Sequence, residues 1–389
     1  MEGPSAAEVL RPATREELVG FIKDARAQCT RIVPVGSCRT LRWVRPSAAS
    51  SQHVSLDGLA ARSEDGIVEY IAGDGVVTVH AGARIGDVQR AVHAGGHRLT
   101  PRLTSVELSG TIGGLIARGT SGADRICHGP LRHHVLGLTY VDGTGRIARS
   151  GGRLVKNVTG FDVHRLHVGA RGTLGALLEV SLRLVPEPLA ETVFEHDAPA
   201  PHAAIKLAHA LRGTEGLRPD LLHTLGSTLA FGFKGPPAHV EDQALRAKGL
   251  AAKAGGETRE FRREDGAEAA QALIDRTAPP SGAVWSFGVR PSRVLNLIDA
   301  LNASGVPLED VHVDPDAARV TVQAKAMGEV HPGGLEGVLH QGARVLAAPP
   351  GIEFASGDPE SGSPFEARLR AAFDPDGVFS EPAGKAARP

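Results

Sequence analysis

Two glycine-rich turns in the first half of this 389-residue chain have the residue types that bring backbone close to an anion. One is GTIGGLIARGTSG, Gly110–Gly122; the other is Gly172-Thr173-Leu174-Gly175. Glycine permits φ > 0 and close approach, and successive free N–H groups form a concavity suited to a pyrophosphate. Neither turn has the spacing of a dinucleotide fingerprint or the Gly-Lys-Ser/Thr ending of a phosphate loop. A third stretch, Pro34-Val35-Gly36-Ser37-Cys38-Arg39-Thr40, follows a short apolar run and adds a hydroxyl, a thiol and a cation.

Other chemistry-bearing residues read less sharply. The tract Arg125, His128, Arg132, His133, His134 invites a metal reading, but adjacent histidines on a strand point to opposite faces and no carboxylate completes a site nearby. Asp310, His312 and Asp314 share one face of an alternating segment, as a metal or acid/base cluster or as a solvated strand face. His331 and His340 bracket a turn and helix. Cys29, Cys38 and Cys127 share no CxxC spacing, which argues against an iron–sulfur cluster, a structural zinc or a disulfide scaffold. Cys38 is read as a small buried side chain, with a reactive thiol as the alternative. His97 is read as a solvated loop histidine.

These residues need elements to hold them. Thr14-Arg-Glu-Glu17 predicts a capped helix with Leu18, Phe21, Ile22 and Ala25 on its apolar face. Strands are predicted at Ile32–Val35, Val54–Leu56, Ile67–Ile71, Val76–Ala81 and Val135–Val141, with Asp142–Gly145 as a hairpin turn and a closing strand through Val180 and Leu182. Ile85, Val88 and Val92 mark a helix that Gly95-Gly96 ends. Beyond Pro186-Glu187-Pro188 the pattern reads as two βαββα rounds, including strands at Thr192–Glu195, Leu217–His223, Ser227–Phe233 and Val284–Val289. The chain then passes through a Pro/Gly/Ser linker at 349–363 into a helix from Pro364 and the segment Phe373–Phe379.

In order and spacing, Thr111-Ile112-Gly113-Gly114, Ser121-Gly122, Lys156-Asn157-Val158-Thr159-Gly160-Phe161-Asp162 and Gly172-Thr173-Leu174-Gly175 resemble the FAD-binding domain of vanillyl-alcohol-oxidase, or PCMH-type, flavoproteins. Within that superfamily the chain is similar to the FAD-binding E subunits of bacterial glycolate oxidases. The resemblance implies an α+β protein in three parts. A two-subdomain PCMH-type FAD-binding domain spans 1–188, a ferredoxin-like α+β cap spans 189–348, and 349–389 is a linker with a C-terminal segment returning to the FAD domain.

It also implies FAD as cofactor, held by Pro34, Gly36, Ser37, Cys38, Arg39, Thr40, Pro101, Gly110, Thr111, Ile112, Gly113, Gly114, Ser121, Gly122, Lys156, Asn157, Gly160, Gly172, Thr173 and Gly175. Ser37 and Cys38 stand where the family has glycines, and Phe161 where it has Tyr. The resemblance also opens a covalent flavin link at Cys38 and a place beside the flavin for His97 as alternatives to their plain readings. The cap lacks the family's His-x-Gly-Asp-Gly-Asn-x-His motif, so no catalytic residue and no metal ligand is assigned. The implied partners are a catalytic flavoprotein subunit and an iron–sulfur subunit, acting together on a small 2-hydroxy acid, glycolate or D-lactate. A stand-alone hydroxy-acid oxidoreductase and a structural subunit that has lost FAD are the alternatives.

With 43 basic against 44 acidic residues, charge gives no case for nucleic acid or an anionic membrane. No apolar run approaches the roughly 20 residues that span a bilayer. No basic start leads into an apolar stretch as in a secretory signal, so a cytoplasmic protein without direct membrane insertion is expected.

Overall fold

The computed structural model describes residues 9–37, 51–60, 65–152, 161–276, 283–314, 319–324, 344–347 and 364–379. Thr14 opens the first helix, Arg15–Ala27, by accepting the Glu17 N–H at 3.1 Å, while Glu17 reaches back one residue further than expected, to the Ala13 N–H at 2.7 Å. The helix buries Leu18, Ile22 and Ala25 against Ile32 and Val54. It crosses between Val9–Leu10 and Arg31–Val35, which flank Ser51–Ser55 in a three-stranded parallel sheet.

A second sheet has five antiparallel strands, in the order Ile67–Ile71, Val76–His80, Ala176–Arg183, Val135–Val141, Ile147–Gly151. The apolar side chains of this sheet pack over helices Ile85–Ala94 and Ile112–Arg118. Polar side chains at its centre, Thr78, Thr139, Glu179 and Ser181, are also buried. Thr78 and Ser181 share a hydroxyl–hydroxyl bond at 2.9 Å, and Glu179 pairs with Arg15 of the first helix. The alternation at Val180–Leu184 therefore marks an apolar face and a polar face on which Glu179 and Ser181 are buried and bonded.

Beyond Val185 lies one eight-stranded antiparallel sheet. Its order is Glu257–Arg262, Ala190–Asp197, Thr228–Gly235, Leu221–Leu225, Val311–Asp314, Arg319–Ala324, Ala283–Gly288, Arg344–Ala347. In chain order the first four strands run 4-1-3-2, the arrangement of a ferredoxin-like unit, and the last four repeat that order from the opposite edge. The two predicted rounds are thus two units joined side by side. The strand Glu257–Arg262, which completes the first, was not read from the sequence. Its exposed, charge-rich residues (ETREFR) give no apolar alternation.

The C-terminal helix Pro364–Phe373 leads back to the first sheet. The Ile32 N–H donates to Val378 O at 2.7 Å, and Val378 and Phe379 are buried beside Leu18 and Ile22. Among the described residues no helix is long and apolar enough to cross a membrane.

Candidate functional site

Gly36 ends the strand Arg31–Val35 and lies against Thr111; a Cβ built on it would sit 2.1 Å from Thr111 Oγ1. Gly172, at φ 79°, comes close to the same strand, its would-be Cβ lying 3.6 Å from Pro34 Cδ. Pro34, Gly36, Thr111 and Gly172 therefore meet where the parallel sheet faces the helix Ile112–Arg118. Only a residue without a side chain allows the approach at Gly36.

Thr111 caps that helix by accepting the Gly114 N–H at 3.2 Å. Ile112 and Gly113 donate to Ala83 O and Ala81 O at 2.9 and 2.7 Å, and Leu115 donates to Thr111 O at 2.9 Å. The expected concavity of open N–H groups at Gly113–Gly114 is therefore not formed. These glycines serve close packing instead: a Cβ on Gly113 would lie 3.0 Å from Ala81 O. Gly114 is different: among the described residues outside its own helix backbone, a Cβ there would meet only Thr111 Oγ1 within 4 Å. The space beside it is a cradle a side chain would fill, which fits the flat body of a bound cofactor against a glycine wall.

The other predicted residues fall around this centre. Gly110 donates to Glu107 O at 2.8 Å and accepts from the Ile85 N–H at 3.0 Å, fixing the approach to Thr111. Thr173 donates its hydroxyl to Ala170 O at 2.7 Å, and Gly175, at φ 146°, packs on Val141 O, so both close their turn internally. At the far end of the helix, Gly122 takes φ 67° and its would-be Cβ lies 2.5 Å from Pro101 Cβ and 2.4 Å from Arg102 O. Ser121 Oγ accepts the Leu131 N–H at 3.3 Å. Ser37 follows Gly36 at the edge of the described segment. Cys38, Arg39, Thr40, Lys156, Asn157 and Gly160 lie outside the described residues, and so does the covalent reading of Cys38.

The histidines resolve differently from the sequence reading. His97 lies on a two-residue strand, with Nδ1 2.7 Å from the Tyr70 hydroxyl. His133 and His134 lie at the end of a short 3-10 turn, not on a strand; His134 is buried, with Nε2 2.8 Å from His128 O. His312 packs edge-on against His223 at 5.6 Å. No group of three potential ligands that could hold a metal occurs among the described residues.

Sequence reasoning missed a charged cluster where the glycine turn meets the eight-stranded sheet. Asp124, fully buried, accepts the Arg102 N–H at 2.7 Å and lies 3.5 Å from Arg98 Nη1. Arg102 grips Glu191 on the first strand of that sheet at 2.5 and 3.4 Å. Lys234 stands opposite Glu191 on the next strand, its Nζ 3.8 Å from Glu191 Oε1. Burial raises the Glu191 carboxyl, but Arg102 and Lys234 outweigh it and hold the group below its ordinary range. Burial, with Arg102 and Arg98 nearby, pushes Lys234 down to about 8. The members come from four stretches of the chain, so no local spacing signals them; the one hint was Lys234 on the mostly apolar strand Thr228–Gly235.

Residues 6–151 match the family model described as FAD binding domain. Glycolate oxidase subunit GlcE of Escherichia coli K12 is 33% identical over 150 residues, covering 39% of this chain and 43% of the relative. Glycolate oxidase subunit GlcD of Bacillus subtilis 168 is 41% identical over 111 residues, 28% of this chain and 23% of the relative. A D-2-hydroxyglutarate dehydrogenase of Xanthomonas citri pv. viticola is 29% identical over 240 residues, 61% and 50%. The matches thus span half or less of these relatives. An alkyldihydroxyacetonephosphate synthase structure superposes with a TM-score of 0.68 at 13% identity, over 95% of this chain and 75% of the other, and shares the fold.

Proposed function

We propose that this chain is the FAD-binding subunit of a glycolate-oxidase-type complex that oxidises a small 2-hydroxy acid, glycolate or D-lactate, and passes electrons towards an iron–sulfur subunit. The observation that carries the reading is the convergence of Pro34, Gly36, Thr111 and Gly172 beside the open face of Gly114. It lies within a chain whose relatives include glycolate oxidase subunits and hydroxy-acid dehydrogenases. Pro34, Gly36, Ser37, Thr111, Gly114 and Gly172 would line the cofactor, with Pro101, Ser121 and Gly122 at the other end of the helix. FAD, when bound, supplies the two-electron chemistry; the protein's part is to bind, orient and exclude water.

The chain's own residues do the positioning. Thr111, locked by its bond to the Gly114 N–H, holds the strand end at Gly36 and the helix start in one register. No group of this chain is assigned as the base that takes the hydroxyl proton, which is why a catalytic flavoprotein subunit belongs to the proposal. The domain divisions at 188 and 348 and a cytoplasmic location go with it. A second reading, a scaffold that has given up FAD, draws support from the internal bonding of the amides at 112–115.

The test is the absorption spectrum of the purified chain before and after acid precipitation, with iron analysis of whatever co-purifies. Released flavin together with iron-bearing partners supports the complex. Flavin with turnover of glycolate or D-lactate by the chain alone supports a stand-alone enzyme. A folded, colourless chain that takes up no added FAD leaves the scaffold.

A further inference from the structure

The charged cluster beside Gly122 holds more donors than the chain satisfies. Lys234 has a side chain only 5% exposed, and its Nζ has no hydrogen-bond partner among the described residues; its nearest anion, Glu191, is already held by Arg102 at a shorter distance. Arg98, 11% exposed, has Nη2 3.0 Å from His128 Nε2 and Nη1 3.5 Å from Asp124 Oδ2; among the described residues neither its Nε nor Asp124 Oδ2, both buried, has a hydrogen-bond partner. A buried ammonium and a buried guanidinium N–H left unbonded are costly, and a methionine-like side chain would fill the Lys234 position without that cost.

Arg98, Arg102 and Lys234 lie within ion-pair reach of two carboxylates, Asp124 and Glu191. A third acid, Asp220, accepts the Lys234 backbone N–H at 2.7 Å and bonds the Cys127 thiol, so three cations stand beside three carboxylates. It is the unbonded donors, not a surplus of charge, that mark a place for an anion. A carboxylate suits the open donors because its two oxygens accept from an ammonium and a guanidinium N–H at once. Cys127, which is exposed, and His128, 19% exposed, form the rim.

We propose that Arg98, Arg102 and Lys234 form a binding site for a small carboxylate between the turn at Gly122 and the eight-stranded sheet. The site stands on these contacts; taking its ligand to be the carboxylate of a 2-hydroxy acid rests on the function proposed above.

The probe is oxamate, a monoanion with no C–H bond to oxidise, compared with its neutral ethyl ester by calorimetry on the purified chain. Saturable binding of oxamate and not of the ester is expected, weakened about tenfold or more by Lys234→Met. Oxamate should also raise the unfolding midpoint of the unaltered chain, a reading that does not depend on the variant folding. Equal binding of the ester, no binding of oxamate, or undiminished binding by a folded Lys234→Met chain would overturn the site. The flavin spectrum of the same sample separates the two claims. A yellow chain that ignores oxamate loses the site alone, and a colourless chain that binds oxamate keeps the site but loses the hydroxy-acid reading.

Discussion

Glu191 and Lys234 face each other on adjacent antiparallel strands, yet Glu191 gives its short bonds to Arg102, which reaches in from the glycine-turn region. This charge pairing ties the first ferredoxin-like unit to the FAD binding domain. Ser105 reinforces it, donating N–H and hydroxyl to Asp275 at 2.6 Å each, and Gln271 donates to Leu103 O at 2.9 Å.

Removing the carboxylate strands two buried cations. Glu191→Gln is expected to destabilise the chain by about 3 kcal/mol or more, measured by chemical denaturation at neutral pH. Because the folded carboxyl sits below its ordinary pKa, its contribution is present above the unfolded value and is lost as pH falls through the folded one. The deficit of the variant should therefore shrink in acid.

Lys234 has the opposite character. With its folded pKa lowered from 10.5 to about 8, the unfolded chain holds a proton across that window that the folded chain has released. Stability from this group therefore rises with pH between those values, by roughly 3 kcal/mol in all. Lys234→Met should lose that alkaline rise; an unchanged difference in unfolding free energy between pH 8 and 10.5 would contradict the assignment.

Two buried histidines set the acid limit. His167, packed 4.3 Å from the Tyr140 ring and against Phe373, is lowered to about 4 by burial and then by His164, and buried His223 is likewise lowered to about 4 by burial. As pH falls from 6.5 towards 4 the unfolded chain takes up protons that the folded chain refuses, and stability drops. His167→Phe should flatten part of that fall, on the order of 3 kcal/mol, in urea titrations across the range.

At the glycine wall, Gly36→Ala places a methyl group against Thr111 and forces the two loops apart. The expected cost is about 1–3 kcal/mol of stability. Flavin retention after gel filtration should fall as well, and a second change, Thr111→Ala, should recover part of both.

The C-terminal return offers a separate check. Gly143 donates to Phe373 O at 2.8 Å, and a Cβ on it would lie 2.1 Å from Asp374 Oδ1. Asp374 in turn accepts the Val378 and Phe379 N–H groups at 2.8 Å. Gly143→Ala should release the segment, with cleavage near residue 370 at protease levels that leave the parent chain intact.

What was legible in the sequence was whatever repeats at short range. Leu18, Ile22 and Ala25 at helical spacing, and Val77 with Val79 at strand spacing, fixed their elements to within a residue or two. The glycines at 36, 113 and 172 were visible as candidates because the residue type itself signals close approach. Their use was not: whether an N–H at Gly113 meets a ligand or Ala81 O depends on where a strand more than 30 residues earlier comes to lie. The same holds for Arg98, Arg102, Asp124, Glu191 and Lys234, each an unremarkable charge until the sheet brings them together. The strand Glu257–Arg262 escaped because its side chains are mostly in water and carry no alternation.

Among the described residues the paired 4-1-3-2 units meet along a short ladder, Thr224 with Val313 and Leu225 with His312, extended by the Gly226 N–H donating to Val311 O at 3.0 Å. Their surroundings differ: the near unit is pinned to the FAD binding domain by Arg102 and Ser105, while His202 and Asp299 bridge helices of the two units at 2.7 Å. Ile205, on the near unit's helix, is buried in the core of the far unit with Leu297 and Leu301. The seam is thus braced on its helical side as well as along the sheet, and a load on the outer strand is shared by both units.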